Sequence, residues 1–165
     1  INKFKRELCG KFRPNHFEAI VDVLERFIKI IKPKKIYLGK KDMQQLILVD
    51  DYFKKNKIKT QVIACETIRQ RNGLALSSRN LLLSNNDKKT ASKIYKILSI
   101  SKKKMLKEKY FINLARNEIL NLGIKKIDYL KILDINKIIK PHVKRCDKKI
   151  FVAYYLNSVR LIDNI

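Results

Sequence analysis

The chain has 165 residues and a formal net charge of +24, which is extreme for its length. Its hydrophobic content of 45% suffices for a packed core and excludes a globally disordered chain. No stretch is long and apolar enough to cross a membrane. The length suits one domain, or one and a half small ones.

The positive charge has two explanations. It could mark a nucleic-acid or anionic-membrane partner. However, lysine supplies 30 of the 39 basic residues and isoleucine is abundant, which is the composition of an AT-rich coding sequence. The lysines are spread through the chain, whereas nucleic-acid binders usually combine a basic stripe with arginine or aromatic readout. We therefore expect neither a nucleic-acid nor a membrane partner, although the charge can steer anionic substrates.

The three cysteines are Cys9, Cys65 and Cys146, which are widely spaced and form no Cys-x-x-Cys pair. This pattern suggests neither a zinc site nor a disulfide framework. Reduced thiols are typical of a cytoplasmic protein, and we expect that location.

The first half of the chain predicts a parallel unit of strand, helix and strand. Apolar residues recur every three or four positions over His16–Ile31, as in an amphipathic helix. A short strand over residues 35–38 ends at Gly39, a helix over Met43–Lys55 follows, and a second strand covers residues 60–64. Ligands of such units bind at the carboxyl ends of the strands.

The second half predicts helices followed by a small antiparallel sheet. Helices are expected over residues 85–107 and 111–122, and strands over residues 127–133, 150–156 and 159–162. Gly123 is a natural residue to follow a helix. Asn157 and Ser158 form a tight hairpin turn between the last two strands. We place the domain boundary near Thr67 and Ile68.

The turn after the first strand has the chemistry of an anion site. Gly39 leaves room for a ligand near the backbone, and a helix N-terminus favours anions. Lys41 can reach phosphate from the first turn, and Asp42 can accept sugar hydroxyls or cap the helix. Gln45 lies four residues after Lys41 on the same helix face, where its amide can hold a small acid. Taken singly, each is also an ordinary surface residue.

A second polar segment, Asn72 to Asn80, resembles a polyphosphate clamp. Ser77 and Ser78 offer hydroxyl donors, and Arg79 can make a two-pronged contact with phosphate oxygens. Gly73 allows close approach or a positive φ.

These segments together resemble the pantothenate synthetase family. GKKDMQQL from Gly39 is similar to the family's GEKDYQQL, and NGLALSSRN from Asn72 is similar to DGLALSSRN. FRPNHF from Phe12 resembles SRPGHF, IDYL from Ile127 resembles the start of the C-terminal sheet, and RLIDN from Arg160 resembles the closing segment. The order is the same along the whole chain.

The resemblance implies an α/β fold in two parts. Residues 1–67 would be the remainder of a Rossmann-like nucleotidyltransferase domain with a parallel βαβ unit. Residues 68–165 would be a small α+β lid domain with an antiparallel sheet. The family's N-terminal segment, with its HIGH-like histidines and first pantoate-binding glutamine, would precede Ile1, so we expect a C-terminal part whose activity alone is open.

The resemblance also implies a ligase of pantothenate biosynthesis, on the coenzyme A pathway. ATP and (R)-pantoate give pantoyl adenylate and pyrophosphate, and β-alanine then gives pantothenate and AMP. Mg²⁺ would bridge the phosphates, and a cytoplasmic homodimer is expected. No residue is assigned as a metal ligand.

The site residues follow from matching positions in the family motifs. Gln45 would bind pantoate, and Lys41, Ser77 and Arg79 would be catalytic. The ATP-binding residues would be Gly39, Lys40, Lys41, Asp42, Ile68, Leu76, Ser77, Ser78 and Arg79.

Four positions depart from the family forms: Lys40 replaces glutamate, Met43 an aromatic residue, Asn15 glycine and Asn72 aspartate. These departures indicate drift of the sequence more than lost chemistry.

Three alternatives stay open. They are a non-catalytic C-terminal remnant, a basic nucleic-acid-binding module on the same fold, and a related adenylyltransferase with another acid substrate. His16 is either a helix residue or part of the pantoate side of the cleft. We expect His142 to lie in a surface loop.

Overall fold

The computed structural model describes residues 2–104, 108–139 and 146–165, so the expectation for His142 lies outside the described residues. The chain divides into two compact units, Ile1–Glu66 and Thr67–Ile165. The first unit contains α1 (Asn2–Lys5), α2 (Leu8–Phe12), α3 (His16–Ile31), β1 (Lys35–Gly39), α4 (Met43–Lys55) and β2 (Gln61–Cys65). The second contains α5 (Asn85–Lys103), α6 (Glu108–Asn121), β3 (Ile127–Asp134), α7 (Ile135–Ile139), β4 (Lys148–Leu156) and β5 (Val159–Asn164).

Strands β1 and β2 pair in parallel, from Lys35 opposite Gln61 to Gly39 opposite Cys65. This confirms the predicted parallel βαβ unit. The strand β2 begins one residue later than predicted, at Gln61, and the Thr60 hydroxyl before it donates a 2.7 Å hydrogen bond to the Pro33 carbonyl. Helix α4 connects the strands and buries its apolar side chains, which are Met43, Leu46, Ile47, Val49 and Phe53.

Helix α3 has the predicted bounds, and its apolar face is only partly covered within its unit. Phe17 is buried near the start of the helix, where α3 packs against α4. Phe27, Ile30 and Ile31 are exposed towards the end of the helix. The periodicity of the sequence therefore identified the helix correctly but did not show how much of its face would be buried.

The second unit is a three-stranded antiparallel sheet with the order β3-β4-β5, as the sequence predicted. Helix α5 packs against β4, and α6 packs against β3. The central strand β4 is the most buried, and its Ile150 and Val152 contribute to a core shared with the helices. Asn157 has a φ of 53° in the turn between β4 and β5, which confirms the predicted hairpin.

The helix and strand ends differ from the predictions by a few residues. Helix α5 begins at Asn85 as expected, because Ser84 and Asp87 form a reciprocal capping box. It ends at Lys103, four residues before the predicted end, and Lys104 is its C-cap residue. Helix α6 begins at Glu108, three residues earlier than predicted.

A buried glutamine joins the first two helices to α4. The Gln44 amide oxygen accepts a 3.0 Å hydrogen bond from the Cys9 N–H, and its amide nitrogen donates to the carbonyls of Phe4 at 2.7 Å and Glu7 at 2.8 Å. Buried main-chain groups need such partners. Gln44 thus satisfies three of them at once, between segments more than thirty residues apart.

We expect the substitution Gln44→Ala to destabilise the chain by about 2 kcal/mol, because the buried Cys9 N–H loses this acceptor, while the Phe4 and Glu7 carbonyls each lose one donor and keep another. The neighbouring Gln45→Ala is the matched control, since Gln45 is only half-buried, and should change stability by less than about 0.5 kcal/mol. Urea unfolding followed by circular dichroism measures both. Equal losses for the two variants would contradict a specific role of Gln44.

Candidate functional site

Gly39 ends β1 with extended backbone angles, φ −71° and ψ 135°. Such angles do not require glycine. A Cβ built at Gly39 would meet no described atom within 4 Å, so the space beside this backbone is open. The predicted role of Gly39, leaving room for a ligand, therefore has the necessary geometry at the carboxyl end of β1.

Residues Lys40–Asp42 form a single 3₁₀ turn, and the α-helix begins only at Met43. This corrects the prediction that Lys41 occupies the first turn of the helix. Asp42 stands at the N-cap position of α4, but its side chain makes no capping hydrogen bond. A 3₁₀ turn rotates successive residues about its axis by a larger angle than an α-helix does. The α-helical spacing of four therefore does not place Lys41 and Gln45 on one face.

The two lysines of this turn have different surroundings. Lys40 pairs with Glu66, the residue after β2, because the register of β1 and β2 brings positions 40 and 66 side by side. Lys41 is the more enclosed of the two, with 17% of its side chain exposed, and lies 3.7 Å from an Asp42 oxygen. Both lysines therefore follow the carboxyl end of β1. The ammonium group of Lys40 lies beside an exposed carboxylate, and that of Lys41 is half-enclosed.

The two glutamines of α4 are used differently. The Gln44 amide is consumed by the main chain of the first two helices. The Gln45 side chain is half-buried, and its amide makes no hydrogen bond within the described parts of the chain. An amide that is accessible and without a structural duty can bind a ligand.

His16 is the first residue of α3, where Arg13 Nη1 donates a 2.7 Å hydrogen bond to His16 Nε2. Its ring lies 5.1 Å from the ring of Phe17. These contacts give His16 a local structural role.

In the second unit, residues 67–76 form a short hairpin. Arg69 and Ala75 pair as an antiparallel bridge. The Leu76 N–H donates to the Ile68 carbonyl at 2.9 Å, and the Gln70 N–H donates to the Leu74 carbonyl at 2.8 Å. Two predicted ATP-binding residues, Ile68 and Leu76, are therefore held directly opposite each other.

The hairpin turns at Gly73, whose φ is +89°. A Cβ at this position would lie 2.1 Å from Cδ1 of Tyr95 on α5, so glycine is required for two independent reasons. The predicted positive φ is confirmed, while the approach of Tyr95 could not be read from the sequence.

The predicted phosphate residues follow the hairpin. Ser77 accepts a 3.3 Å hydrogen bond from the Arg79 N–H at the start of a 3₁₀ turn, Ser78–Leu82. Ser78 and Arg79 are exposed, and Arg79 Nη1 makes a long 3.4 Å contact with the Arg160 carbonyl. The buried amide of Asn80 donates a 3.0 Å hydrogen bond to the Ala75 carbonyl, which joins the turn to the hairpin. The guanidinium and hydroxyls are thus presented outward on a fixed backbone.

The ten predicted site residues form two groups, one in each unit. Gly39, Lys40, Lys41, Asp42 and Gln45 lie on the β1–α4 connection, and Ile68, Leu76, Ser77, Ser78 and Arg79 lie on the hairpin and its 3₁₀ turn. Sequence reasoning gave no role to Gln44 or Arg69. Their positions beside the motifs were a signal, but only their long-range hydrogen bonds reveal what they do.

Two further features bear on chemistry. Within the described ranges, no three histidine, cysteine, aspartate or glutamate side chains are grouped so as to hold a metal ion. None of the described helices combines the length and apolar character that a membrane span requires.

The chain is similar to known proteins over its whole length. A sequence model of the family described as pantoate-beta-alanine ligase matches residues 1–165. The pantothenate synthetase of Vesicomyosocius okutanii subsp. Calyptogena okutanii (strain HA) is 38% identical over 161 residues, which are 97% of this chain and 57% of that protein.

Two solved structures are also similar. Pantothenate synthetase from Thermus thermophilus matches with a TM-score of 0.86 and 26% identity, over 98% of this chain and 60% of that one. Pantoate-beta-alanine ligase from Francisella tularensis, complexed with beta-gamma ATP and beta-alanine, matches with a TM-score of 0.79 and 36% identity, over 99% and 55%. The predicted fold class is confirmed, and the chain spans less than two thirds of the length of each relative.

Three glycines allow a graded test of the backbone at and near the site. Gly73→Ala combines a positive φ with a clash against Tyr95, and it should lower the free energy of unfolding by about 3 kcal/mol. Gly123→Ala has a φ of +86° but open space, and should cost about 1 kcal/mol. Gly39→Ala has neither problem and should cost less than about 0.5 kcal/mol. Thermal unfolding of the three variants checks this order, and a large loss at Gly39 would contradict it.

Proposed function

The chain belongs to the pantoate–β-alanine ligase family, and from this premise we propose that it serves the ATP-dependent condensation of (R)-pantoate with β-alanine. The observation that carries the proposal is that the family match spans both groups of site residues, and that each group is accessible at a defined turn. The chain spans 57% of the Vesicomyosocius okutanii relative and 60% of the Thermus thermophilus structure.

The reaction has two steps. The pantoate carboxylate attacks the α-phosphorus of ATP, forming pantoyl adenylate and releasing pyrophosphate. The amine of β-alanine then attacks the acyl carbon, the bond to AMP breaks, and the amine loses a proton. Because the nucleotide supplies the leaving groups, the protein contributes positioning and charge stabilisation.

The β1–α4 connection would bind the nucleotide and the acid. The open space at Gly39 admits the nucleotide to the backbone, and Lys41 supplies positive charge from a half-enclosed position. Lys40 adds a second cation, which Glu66 balances when no ligand is bound. Asp42 is exposed and can accept hydrogen bonds from ribose hydroxyls. Gln45, with its uncommitted amide, would hold pantoate.

The hairpin and its turn would bind the adenine and the phosphates of ATP. Ile68 and Leu76 are exposed and would contact the adenine. Ser77, Ser78 and Arg79 would donate hydrogen bonds to phosphate oxygens. The long contact between Arg79 and the Arg160 carbonyl is weak enough to be exchanged for a charged, two-pronged contact. Lys41, Ser77 and Arg79 would thereby stabilise the charge that develops as pyrophosphate leaves.

Mg²⁺ would enter with ATP. It usually keeps several waters and binds through phosphates and one or two carboxylates, so it does not need a cage of protein ligands. The carboxylates of Asp42 and Glu66 both lie beside lysines. This arrangement fits a site that Mg²⁺ enters already bound to the phosphates. The ion would neutralise phosphate charge.

A homodimer in the cytoplasm completes the proposal, and it rests on the family resemblance. Within the described residues, Cys9, Cys65 and Cys146 form no disulfide, as in proteins of a reducing compartment. A nucleic-acid or membrane partner is not part of the proposal.

The test is pantoate-dependent exchange of labelled pyrophosphate into ATP. It compares the 165-residue chain with a version extended by the preceding segment of the Vesicomyosocius okutanii relative. We expect exchange by the extended version. If neither version supports exchange while both are folded, the assignment is wrong, and a non-catalytic remnant is the better description. Salt-sensitive oligonucleotide binding in its place would favour the basic binding module.

In the extended version, Arg79→Ala should reduce exchange by about 100-fold or more, because a charged donor to the phosphates is lost. Arg71→Ala is the matched control, since Arg71 is an exposed arginine on the same hairpin with no assigned role. We expect its exchange rate to change less than about twofold. Similar losses for both arginines would show that general positive charge, rather than the position of Arg79, supports the reaction.

Gln45→Ala should raise the pantoate concentration needed for half-maximal exchange by about tenfold, because one good hydrogen-bonding partner is lost, and leave the requirement for ATP unchanged. Kinetics with each substrate varied in turn separate the two effects. A change in the ATP requirement alone would assign Gln45 to the nucleotide instead. A change in neither requirement would remove Gln45 from the site.

A further inference from the structure

A half-buried arginine is the centre of the polar contacts between the hairpin and the rest of its unit. Arg69 makes a bidentate ion pair with Asp163 on β5, with Nη1 to Oδ2 at 2.6 Å and Nη2 to Oδ1 at 2.9 Å. The two side chains are only 19% and 12% exposed. Bidentate pairs of this kind are directional and are among the stronger hydrogen-bonded contacts in proteins.

The same guanidinium also holds main-chain and aromatic groups. Nη1 donates to the Gly73 carbonyl at 3.1 Å, and Nη2 donates to the Asn164 carbonyl at 3.2 Å. The guanidinium carbon lies 4.5 Å from the centre of the Tyr95 ring, a favourable cation–π distance. One side chain therefore connects the hairpin turn, β5 and α5.

Arg69 keeps its positive charge in this environment. Burial alone would lower the pKa of the guanidinium, but the hydrogen bonds and the negative charge of Asp163 outweigh burial and raise the pKa. Both Nη atoms are already engaged by Asp163 and by carbonyl groups, so binding a phosphate would require breaking this arrangement.

The arginine lies between residues assigned to ATP. Ile68 precedes it directly, and Leu76 is paired with Ile68 across the hairpin. The side chains of Ile68 and Leu76 are 70% and 50% exposed, so their own packing does little to fix the hairpin. On the other side of the turn, Leu74 and Ala75 are buried, and the Ser92 hydroxyl donates a 2.6 Å hydrogen bond to the Asn72 carbonyl. The contacts of Arg69 add the direct attachment of the strand that carries Ile68.

We propose that Arg69 is a positioning residue for nucleotide binding, which acts through Asp163 and Tyr95 to hold residues 68–79 in the arrangement that ATP requires. The inference rests on the proposed function. It assigns Arg69 no direct contact with ATP, and it assigns Asp163, far from the motif in sequence, to the same function.

The test measures the affinity of the 165-residue chain for ATP with Mg²⁺ by calorimetry, for Arg69→Gln, Asp163→Asn and the double variant. Each single change should weaken binding by about tenfold, and the double variant should be no weaker than the singles, because all three lose one shared contact. Arg69→Lys should also weaken binding, since an ammonium cannot form the planar fork. Arg71→Gln, the matched loss of charge, should bind as the unaltered chain does.

Amide hydrogen exchange separates positioning from loss of folding. In Arg69→Gln, the amides of Gln70 and Leu76 should exchange at least about tenfold faster, while amides in β4 keep their protection. Loss of protection throughout the unit would show a general stability effect and overturn the inference. Unchanged ATP affinity in the folded Arg69→Gln variant would overturn it as well.

Salt dependence separates positioning from direct contact. If Arg69 touched phosphate, Arg69→Gln would bind ATP with a weaker salt dependence, whereas Asp163→Asn would not lose affinity. That result would overturn the positioning role while leaving the proposed function intact. Failure of the unaltered chain and of its extended version to bind ATP would instead overturn the proposed function, and the inference with it.

Discussion

The hairpin of the second unit is attached to β5 by the ion pair between Arg69 and Asp163, which joins positions 94 residues apart in the chain. A short isolated hairpin has too few contacts of its own to keep a fixed place on a sheet. By combining a bidentate carboxylate contact, two carbonyl contacts and an aromatic face, Arg69 adds to the apolar packing that the buried Leu74 and Ala75 provide. The turn predicted to bind phosphate follows directly and is joined to the hairpin by the hydrogen bond from the Asn80 amide to the Ala75 carbonyl.

The first unit uses a buried polar side chain in a similar way. Gln44 holds three main-chain groups of the short N-terminal segments, whose helices are too short to be stable alone. In both units, a structural polar residue lies next to residues assigned to ligands. Gln44 directly precedes Gln45, and Arg69 directly follows Ile68. Adjacent residues of one motif thus have different roles: one fixes the backbone, and the other is predicted to contact the ligand.

The chemistry of the proposed reaction fits this division. Transfer of an adenylyl group needs cations and donors at defined positions more than it needs a nucleophile on the protein. Lys41 and Arg79 are located on short 3₁₀ turns. The main chain of these turns is held by the strands, the hairpin and buried amides. The charged ends of the two side chains can therefore adjust while their Cα positions stay fixed. The chain spans 57% and 55% of the length of two of the relatives that it matches.

The sequence by itself determined the elements with a regular local pattern. The bounds of α3 and α4, the parallel pairing of β1 with β2, the hairpin at Asn157 and the positive φ of Gly73 all follow from periodicity, turn residues and chain direction, which act over a few positions. The family motifs likewise predicted the residues of the candidate site, and those assignments remain predictions.

Only the tertiary structure decided how these elements are held. It placed Lys41 in a 3₁₀ turn, separated the duties of Gln44 and Gln45, left the end of α3 exposed, and brought Asp163 and Tyr95 to Arg69. The reason is physical. Local preferences cannot specify which distant acceptor a buried donor will find, because that choice depends on the packing of the whole unit, where an unpaired polar group is costly.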